Sequence, residues 1–388
     1  YDEKLGREIA KNCKGLPLTV VTVAGILSNS GQDGWEEIAG RLSLNTLSIT
    51  GQCMDIIKLS YRNLPDYLKP SFLYFGAFPV GQEIPFGKLM RLWIAEGFVQ
   101  KSDGKSLEDV AGDYVNDLIG RSLVMISKER SLGGIKSCRV HDLLHEFCVV
   151  TAKKEKFLSL VSGYDELLTF NGQCNQQWLC VYSLQEHFER SRIFCPSVRS
   201  ILFFPLDNAY GPKHCRLLFN LCIFKLLNVL NLEQIHLGFC FPSETLLLVE
   251  LRYLAAQGEF DSIPSSISNL SNLETLLVKS DSTAVLPDTI WNMQKLRHLH
   301  GGFSLLGSSL ATENLEMSCV LHNLETFSVL SLSSGQSIEK ILRKLPNIRR
   351  LKCTLFESGK STGDCNRTVA VQFLSRLQSL HLSSSFGR

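Results

Sequence analysis

The sequence predicts a multidomain fold of α plus α/β class, in which two helical modules precede a repeat solenoid. Three observations support this prediction. The chain has 388 residues, which is more than one hydrophobic core usually spans. Apolar residues recur at helical spacing through residues 1–155, and one short apolar pattern recurs from residue 195 onward. We therefore expect domains at 1–50, 51–155 and 195–388, with a connector or an initial repeat at 156–194.

The composition is that of an ordinary globular protein. Hydrophobic residues make up 44% of the chain and the formal net charge is only +2, so no overall field favours nucleic acid or an anionic membrane. Thirteen cysteines are scattered without zinc-like spacing, which predicts reduced core thiols in a cytoplasmic protein. The longest apolar runs are too short for a transmembrane segment. Partners are therefore expected to be proteins or small molecules.

The first module is predicted to contain two helices joined by a sharp corner. Gly15 follows the first helical pattern, where a left-handed C-terminal cap is needed, and Pro17 suits the first turn of the next helix. The second helix should be a largely buried segment because its apolar positions are Val20, Val21, Val23, Ala24 and Leu27. Packing alone is a sufficient explanation of the corner Gly15-Leu16-Pro17-Leu18.

The second module has the pattern of a winged helix. Helices are expected at 86–96, where Gly97 is a stop signal, and at about 107–121. Two short alternating stretches, 123–128 and 138–140, enclose Gly133 and Gly134 as in a β-hairpin. Winged helices often bind DNA, but the candidate recognition helix carries only Lys88 and Arg91. We therefore expect no direct DNA binding.

The segment Val140-His141-Asp142 follows the predicted hairpin and opens another helix. Asp142 lies where a carboxylate would cap that helix and offset its positive end. His141 at the same terminus could present a ring N–H to an anion such as phosphate. A purely structural role for both residues explains the pattern equally well, and the residues alone do not decide between the two interpretations.

The last 194 residues repeat a pattern of an apolar residue, two variable residues, an apolar residue, one variable residue and an apolar residue. It begins at residues 198, 227, 251, 273, 296, 324, 348 and 377. The spacings of 22 to 29 residues are those of leucine-rich repeats, in which each unit adds one strand to a concave parallel sheet. Candidate partner-facing positions on the concave side are Arg252, Tyr253, Glu274, Thr275, Arg297, His298, Glu325, Arg349 and Arg350.

Four segments in this order resemble plant coiled-coil NB-ARC leucine-rich-repeat disease-resistance proteins, especially the late blight resistance homologues. Gly15-Leu16-Pro17-Leu18 resembles the family's GLPL motif, and 59–69 resembles its LSY-x-x-LP-x-x-LK stretch. Residues 71–98 resemble the block that enters the winged helix. Val140-His141-Asp142 stands where the family carries Met-His-Asp. The resemblance covers essentially the whole chain.

The resemblance implies a helical lid (ARC1-like) at 1–50 and a winged-helix domain (ARC2-like) at 51–155. It further implies that Pro17 packs near the adenine of bound ADP, that His141 contacts the β-phosphate and that Asp142 fixes the local geometry. Gly15, Leu16 and Leu18 belong to the same implied nucleotide site. Because no G-x-x-x-x-G-K-[ST] loop occurs, the phosphate-cradling loop and its Mg²⁺ ligands would lie upstream in a longer parent protein.

The implied function is that of an intracellular immune receptor and not of an enzyme. The repeats would sense a pathogen effector or a guarded host protein, and the receptor's own N-terminal domains would respond through ADP/ATP exchange and homo-oligomerisation. The alternatives are a leucine-rich-repeat scaffold or ubiquitin-ligase adaptor without a switch, a winged-helix DNA binder, and an ATPase whose turnover is the function.

Overall fold

The structure is a computed structural model, and it describes residues 3–13, 17–28, 35–40, 49–131, 133–161, 176–182, 197–204, 223–305, 319–333, 338–357 and 374–386. The chain divides into two compact units, Tyr1–Leu158 and Ser159–Arg388. Gly15 and Leu16 of the predicted corner lie outside the described residues.

The first unit is mainly helical and contains a small antiparallel sheet. Its helices include α1 (Glu3–Asn12), α2 (Pro17–Ser28), α3 (Ile49–Arg62), α4 (Lys69–Leu73), a 3₁₀ segment (Tyr74–Ala77), α5 (Phe86–Glu96), α6 (Leu107–Gly120) and α7 (Asp142–Lys154). The strands β1 (Ile84–Pro85), β2 (Met125–Glu129) and β3 (Ile135–Arg139) are arranged in the order β1-β3-β2. Helices followed by an antiparallel β2–β3 hairpin confirm the predicted winged helix.

The ends of these helices follow from local sequence. Gly97 adopts a left-handed conformation (φ 81°) and ends α5, as predicted from its position. Ser106 begins α6 through a capping box with Asp109, in which each side chain accepts from the other residue's backbone N–H. Gly133 and Gly134 both have positive φ in the hairpin turn, where a side chain would be strained.

The predicted burial of α2 is wrong for part of the helix. Val20 and Val21 are 42% and 49% exposed, whereas Thr19 and Thr22 are buried together with Val23. The Thr19 hydroxyl lies 3.0 Å from the Cys53 sulfur of α3, so this polar side chain is satisfied inside the core. The sequence could not reveal which face is buried, because apolar residues surround most of this helix.

Helix α3 connects the two helical modules of the first unit. Ile56 and Leu59 join the apolar cluster formed with Ile9, Val23 and Ile26. The predicted domain boundary at residue 51 falls within this continuous helix. At the opposite side of α3, the Tyr61 ring packs edge-on against Phe147 of α7 with centroids 5.3 Å apart.

The second unit is a sheet with the strand order of a repeat solenoid. It contains β4 (Leu158–Val161), β5 (Trp178–Val181), β6 (Ser200–Phe203), β7 (Val229–His236), β8 (Tyr253–Gln257), β9 (Thr275–Lys279), β10 (Ala284–Leu286), β11 (His298–Leu305), β12 (Thr326–Ser333), β13 (Arg350–Glu357) and β14 (Ser379–Phe386). Apart from β10, which pairs with β11, neighbours follow chain order from β4 to β14. The strand pairs described from β5 to β14 are all parallel.

The repeats share one continuous apolar core. Leu230, Leu254 and Leu276 are 0% exposed at equivalent positions of successive strands. Short 3₁₀ segments at Ser265–Asn269 and Asp288–Asn292 follow Pro264 and Pro287 and lie between successive strands. Asparagine side chains tie one repeat to the preceding one, from Asn272 to Val249 O, Asn323 to Gln294 O and Asn347 to His322 O.

Two predicted apolar positions are wrong because strands β11 and β12 are irregular. The pairing register shifts between Leu299 and Gly302 and again between Phe327 and Leu330. In the repeats that begin at 296 and 324, the pattern places its third apolar position at Gly301 and Val329. Phe303 and Leu330 are instead the residues with 0% exposure. A β-bulge adds one residue and moves the next side chain to the other face, so a fixed repeat pattern fails at these strands.

Candidate functional site

The N-terminus of α7 places His141 and Asp142 at the end of the hairpin. His141 is the N-cap residue, with extended backbone angles (φ −68°, ψ 148°), and its Nδ1 accepts a hydrogen bond of 3.3 Å from the Leu143 N–H. Asp142 is the first residue of the helix and is exposed, whereas Val140 before it is buried. The prediction that Asp142 caps the helix is therefore wrong by one position: the histidine ring provides the cap.

This cap determines the hydrogen-bonding character of the His141 ring. A neutral imidazole has one donor nitrogen and one acceptor nitrogen. Because Nδ1 accepts from the backbone, the proton of the neutral ring lies on Nε2. The half-buried ring thus has a donor N–H available at a helix N-terminus, where unpaired backbone N–H groups also favour an anion.

Asp142 acts on the same helix end through its charge. A carboxylate in the first turn interacts favourably with the partial positive charge of the helix N-terminus, typically by about 0.3–1 kcal/mol at an exposed position. This confirms the part of the prediction that concerns the helix dipole. It also means that Asp142 contributes little to the stability of the fold.

The turn rests on a rigid base formed by α7, α4 and the 3₁₀ segment. His145 is buried and its Nε2 donates to the carbonyl of Phe78 over 2.7 Å. The Cys148 thiol donates to the carbonyl of Phe72 over 3.3 Å, and complete burial raises the pKa of this thiol well above its usual value. A Cβ on Gly76 would lie 2.9 Å from the backbone nitrogen of Val149, so only glycine permits this close approach.

His145 is the residue that the sequence analysis missed. It lies one helical turn after His141, and its backbone N–H donates to the His141 carbonyl over 2.9 Å. The spacing His-x-x-x-His alone does not separate the two roles, because His141 is the N-cap and only His145 lies within α7. Only the folded structure shows that the second histidine is a buried donor that fixes α7 in place.

The predicted nucleotide-site residues are only partly described and are not joined by direct polar contacts. Helix α2 begins at Pro17, as predicted; Pro17 is exposed and Leu18 is half-buried. Among the described residues, no hydrogen bond or ion pair links Pro17 or Leu18 to His141 or Asp142. Both α2 and α7 pack on α3. Helix α3 therefore fixes their relative positions within this unit.

Helices α5 and α6 of the winged domain offer few basic side chains for contacts with DNA. Lys88 of α5 is buried, with 9% of its surface exposed. Helix α6 carries Glu108, Asp109, Asp113 and Asp117 and no basic residue. A recognition helix needs basic side chains that are free to reach phosphates and bases. The absence of direct DNA binding stays a prediction.

The concave candidates of the solenoid form a ladder of ion pairs. Arg252, Glu274, Arg297, Glu325 and Arg349 occupy the same position in successive repeats and alternate in charge. Arg252 pairs with Glu274 over 2.6 Å, and Glu325 pairs with Arg297 over 3.0 Å and with Arg349 over 3.5 Å. Their side chains are only 12–28% exposed, so the ladder is chiefly a structural link between repeats.

Burial corrects the other predicted concave residues. Tyr253, Thr275 and His298 are 0%, 2% and 6% exposed, so they do not present an open surface. Arg350 on β13 is exposed. The prediction failed because the repeat pattern identifies which face a residue lies on but not whether that face is covered.

The described residues contain no cluster of three or more His, Cys, Asp or Glu side chains with metal-binding geometry. Within the same ranges, no helix is both long enough and apolar enough to cross a membrane. The predicted reduced core thiols are only partly correct: six of the eight described free cysteines are buried, whereas Cys240 and Cys319 are exposed.

Comparisons with known proteins agree with both halves of this description. The family described as disease resistance protein winged helix domain matches residues 77–148, and a leucine-rich repeat region matches residues 197–388. Among relatives from Solanum demissum, late blight resistance protein homolog R1B-14 is 42% identical over 361 residues, covering 90% of this chain and 26% of the relative. Homolog R1B-16 is 40% identical over 364 residues, covering 90% and 27%.

The chain thus spans less than a third of the length of these relatives. A further late blight resistance homologue of the same species is 37% identical over 99% of this chain and is matched over 30% of its own length. Solved structures give weaker matches. A leucine-rich-repeat protein of Leptospira interrogans has a TM-score of 0.37 at 17% identity, covering 59% of each chain. The repeat ectodomain of the Arabidopsis thaliana receptor kinase GASSHO1/SCHENGEN3 has a TM-score of 0.36 at 16% identity, covering 59% of this chain and 29% of that one.

These solved structures add no argument about function, because their similarity is too low. The family matches and the curated relatives carry the assignment. The chain therefore contains a disease-resistance winged-helix domain followed by leucine-rich repeats, and over nine tenths of its length it is related to the late blight resistance proteins of plants.

Proposed function

We propose that this chain is the regulatory part of an intracellular plant immune receptor, in which the turn 140–142 helps to hold an ADP-bound resting state and the repeats sense a partner. The single observation that supports the switch is the orientation of His141. Its Nδ1 is occupied by the Leu143 N–H, so its Nε2–H is the nitrogen donor left for an anion. This is the donor that a contact to a nucleotide β-phosphate requires.

The contacts that hold α7 support a switch in which the turn 140–142 and the winged-helix domain move together. His145, Cys148 and Gly76 fix α7 to the preceding segment, so the His141 ring would move only together with the winged-helix domain. A contact made in one state alone shifts the population by its own free energy: about 1.4 kcal/mol changes the equilibrium tenfold. One hydrogen bond to a charged phosphate, worth roughly 1.5–3 kcal/mol, is sufficient for this effect.

In the parent protein, bound ADP or ATP would supply the phosphate that His141 meets. Pro17 and Leu18 at the start of α2, with Gly15 and Leu16 before them, would contribute the adenine side of the site. The phosphate loop and Mg²⁺ ligands would come from upstream residues. Sensing of a pathogen effector or a guarded host protein by the repeats would release the closed state, allow exchange to ATP, and lead through the N-terminal domains to oligomerisation and a hypersensitive cell death in the cytoplasm.

The test is to express the full-length protein that contains this region in leaf tissue with Asp142→Val. Because the carboxylate is exposed and stabilises the helix by no more than about 1 kcal/mol, the variant should accumulate to the wild-type level. We expect cell death without a pathogen, since the family resemblance assigns to Asp142 the local geometry that holds His141 against the nucleotide. Purified protein should at the same time retain less ADP than the wild type, as measured by chromatography of the released nucleotide.

Glu146→Val is the matched control, because Glu146 is an exposed acid one turn later on the same helix. It should remain silent and keep its ADP. A silent, well-expressed Asp142→Val variant with full ADP content would reject the switch and favour the repeat scaffold or ubiquitin-ligase adaptor. Steady ATP turnover by the unstimulated parent would instead favour an ATPase.

A further inference from the structure

The end of strand β3 carries a second donor side chain next to the His141 turn. Cys138 and Val140 are 0% and 7% exposed, so they form the inward side of this segment. Side chains alternate along an extended backbone, and His141 also has extended angles (φ −68°, ψ 148°). Arg139 and His141 therefore lie together on the outward side, where Arg139 is exposed and His141 is half-buried.

The backbone at Arg139 is fixed by the sheet. Arg139 is the last residue of β3, which is the central strand of the order β1-β3-β2, and it lies opposite Met125 in the β2–β3 register. Residues two apart on an extended chain are separated by about 6.6 Å, a distance that the long arginine side chain can bridge. The guanidinium can therefore reach a ligand atom that also contacts the His141 ring.

The carboxylates of this region do not occupy Arg139. Glu83, which precedes β1, is bound by Lys128 over 2.9 Å and accepts a hydrogen bond from the Ser137 hydroxyl. Asp142 begins α7 and is exposed. Over the ranges that the structure describes, the Arg139 side chain forms no hydrogen bond or ion pair with either acid or with any other residue. Its charge is therefore available to a ligand.

We infer that Arg139 is a second ligand of the phosphate group that His141 is proposed to contact. The inference rests on the proposed function and adds a residue to the same site. A neutral histidine donates one N–H and carries no charge, whereas a guanidinium is always charged and presents a planar fork of N–H donors. Arg139 thus supplies the charge that His141 lacks and can bind two phosphate oxygens at once.

The test measures how fast ADP leaves the purified full-length protein that contains this region. The protein is loaded with fluorescent N-methylanthraniloyl-ADP, and dissociation is followed after an excess of unlabelled ADP is added. Arg139→Gln should release the nucleotide roughly tenfold faster than the wild type or more, because a charge-assisted contact is lost. Arg139→Lys should be intermediate, since it keeps the charge but loses the planar fork.

Arg130→Gln is the matched control. Arg130 is an exposed arginine of the same hairpin, at the turn, where its backbone N–H donates to the Gly134 carbonyl over 2.9 Å. This variant should release ADP at the wild-type rate, and an equal acceleration in it would overturn the assignment to Arg139. Circular dichroism spectra of all variants should coincide with the wild type; a loss of folded structure in Arg139→Gln would assign this residue to the fold and overturn the inference.

Failure of this inference and failure of the proposed function give different results. Release at the wild-type rate by Arg139→Gln, together with faster release by Asp142→Val, would overturn the role of Arg139 alone. A wild-type protein that retains no ADP would overturn both.

Discussion

The winged-helix domain and the repeat solenoid each contain a core of fully buried apolar residues, but they are held together by different kinds of contact. In the winged-helix domain, contacts occur once each: Gly76 against Val149, His145 to Phe78 and Cys148 to Phe72. In the solenoid, the same contact recurs in successive repeats, as in the buried leucines, the asparagine links and the Arg–Glu ladder.

This difference determines where a function can reside. A domain held by contacts that occur only once can adopt discrete alternative conformations that differ in free energy. A conformational switch requires such a difference between its states. A repeated contact distributes stability over neighbouring units, so the exposed positions between the core residues can vary without loss of the fold. The turn 140–142 lies on the first of these two architectures.

The largest expected effect is a loss of stability in the middle of the solenoid, to be compared with a smaller loss at its last described strand. Leu254→Ala removes a fully buried side chain and should lower the free energy of unfolding by about 2–5 kcal/mol. Leu380→Ala is the matched change on β14, where the leucine is only partly buried against the same core; it should cost about 1 kcal/mol. Urea denaturation followed by circular dichroism measures both, and equal losses would contradict a core that weakens toward this strand.

An intermediate effect tests the uniqueness of the winged-helix contacts. Gly76→Ala places a Cβ against the backbone of α7 and should destabilise the first unit by about 1–3 kcal/mol. Gly112→Ala in α6 meets only Phe86 and Met90 at 3.8–3.9 Å and should be neutral or stabilising by up to ~1 kcal/mol. Hydrogen exchange of residues 142–152, resolved by mass spectrometry, should increase only for the Gly76 variant; unchanged exchange there would show that α7 tolerates displacement.

The smallest expected effect concerns the charge ladder. Glu325→Gln keeps the shape of the side chain but leaves Arg297 and Arg349 without their shared carboxylate, so the solenoid should lose about 1 kcal/mol. Glu250→Gln is the control, because Glu250 is exposed and accepts only a 3.3 Å hydrogen bond from Asn272; it should change stability by less than about 0.5 kcal/mol. Thermal unfolding at low and high salt distinguishes them, and a salt-independent loss at Glu325 would argue against an ionic cause.

Sequence patterns predicted those features that depend on local chemistry. The helix end at Gly97, the helix start at Pro17 and the hairpin around Gly133 and Gly134 all follow from backbone preferences of single residues. The cap of α7 was misassigned to Asp142, because a carboxylate is the commoner cap and a histidine ring nitrogen rarely takes that role. The burial of α2 was misjudged because tertiary packing, including the contact of Thr19 with Cys53, covers the face that carries its threonines.

By itself, the sequence determined the order of helices and strands, the repeat spacing and the position of the His141 turn, because each is encoded by residues close together in the chain. Only the tertiary structure decided that His145 is a buried donor, that β11 and β12 contain bulges, and that Tyr253 and His298 are buried whereas Arg350 and Lys352 are exposed. These features depend on which distant elements pack together. A local pattern specifies the face on which a side chain lies, but whether that face is covered depends on the rest of the folded chain.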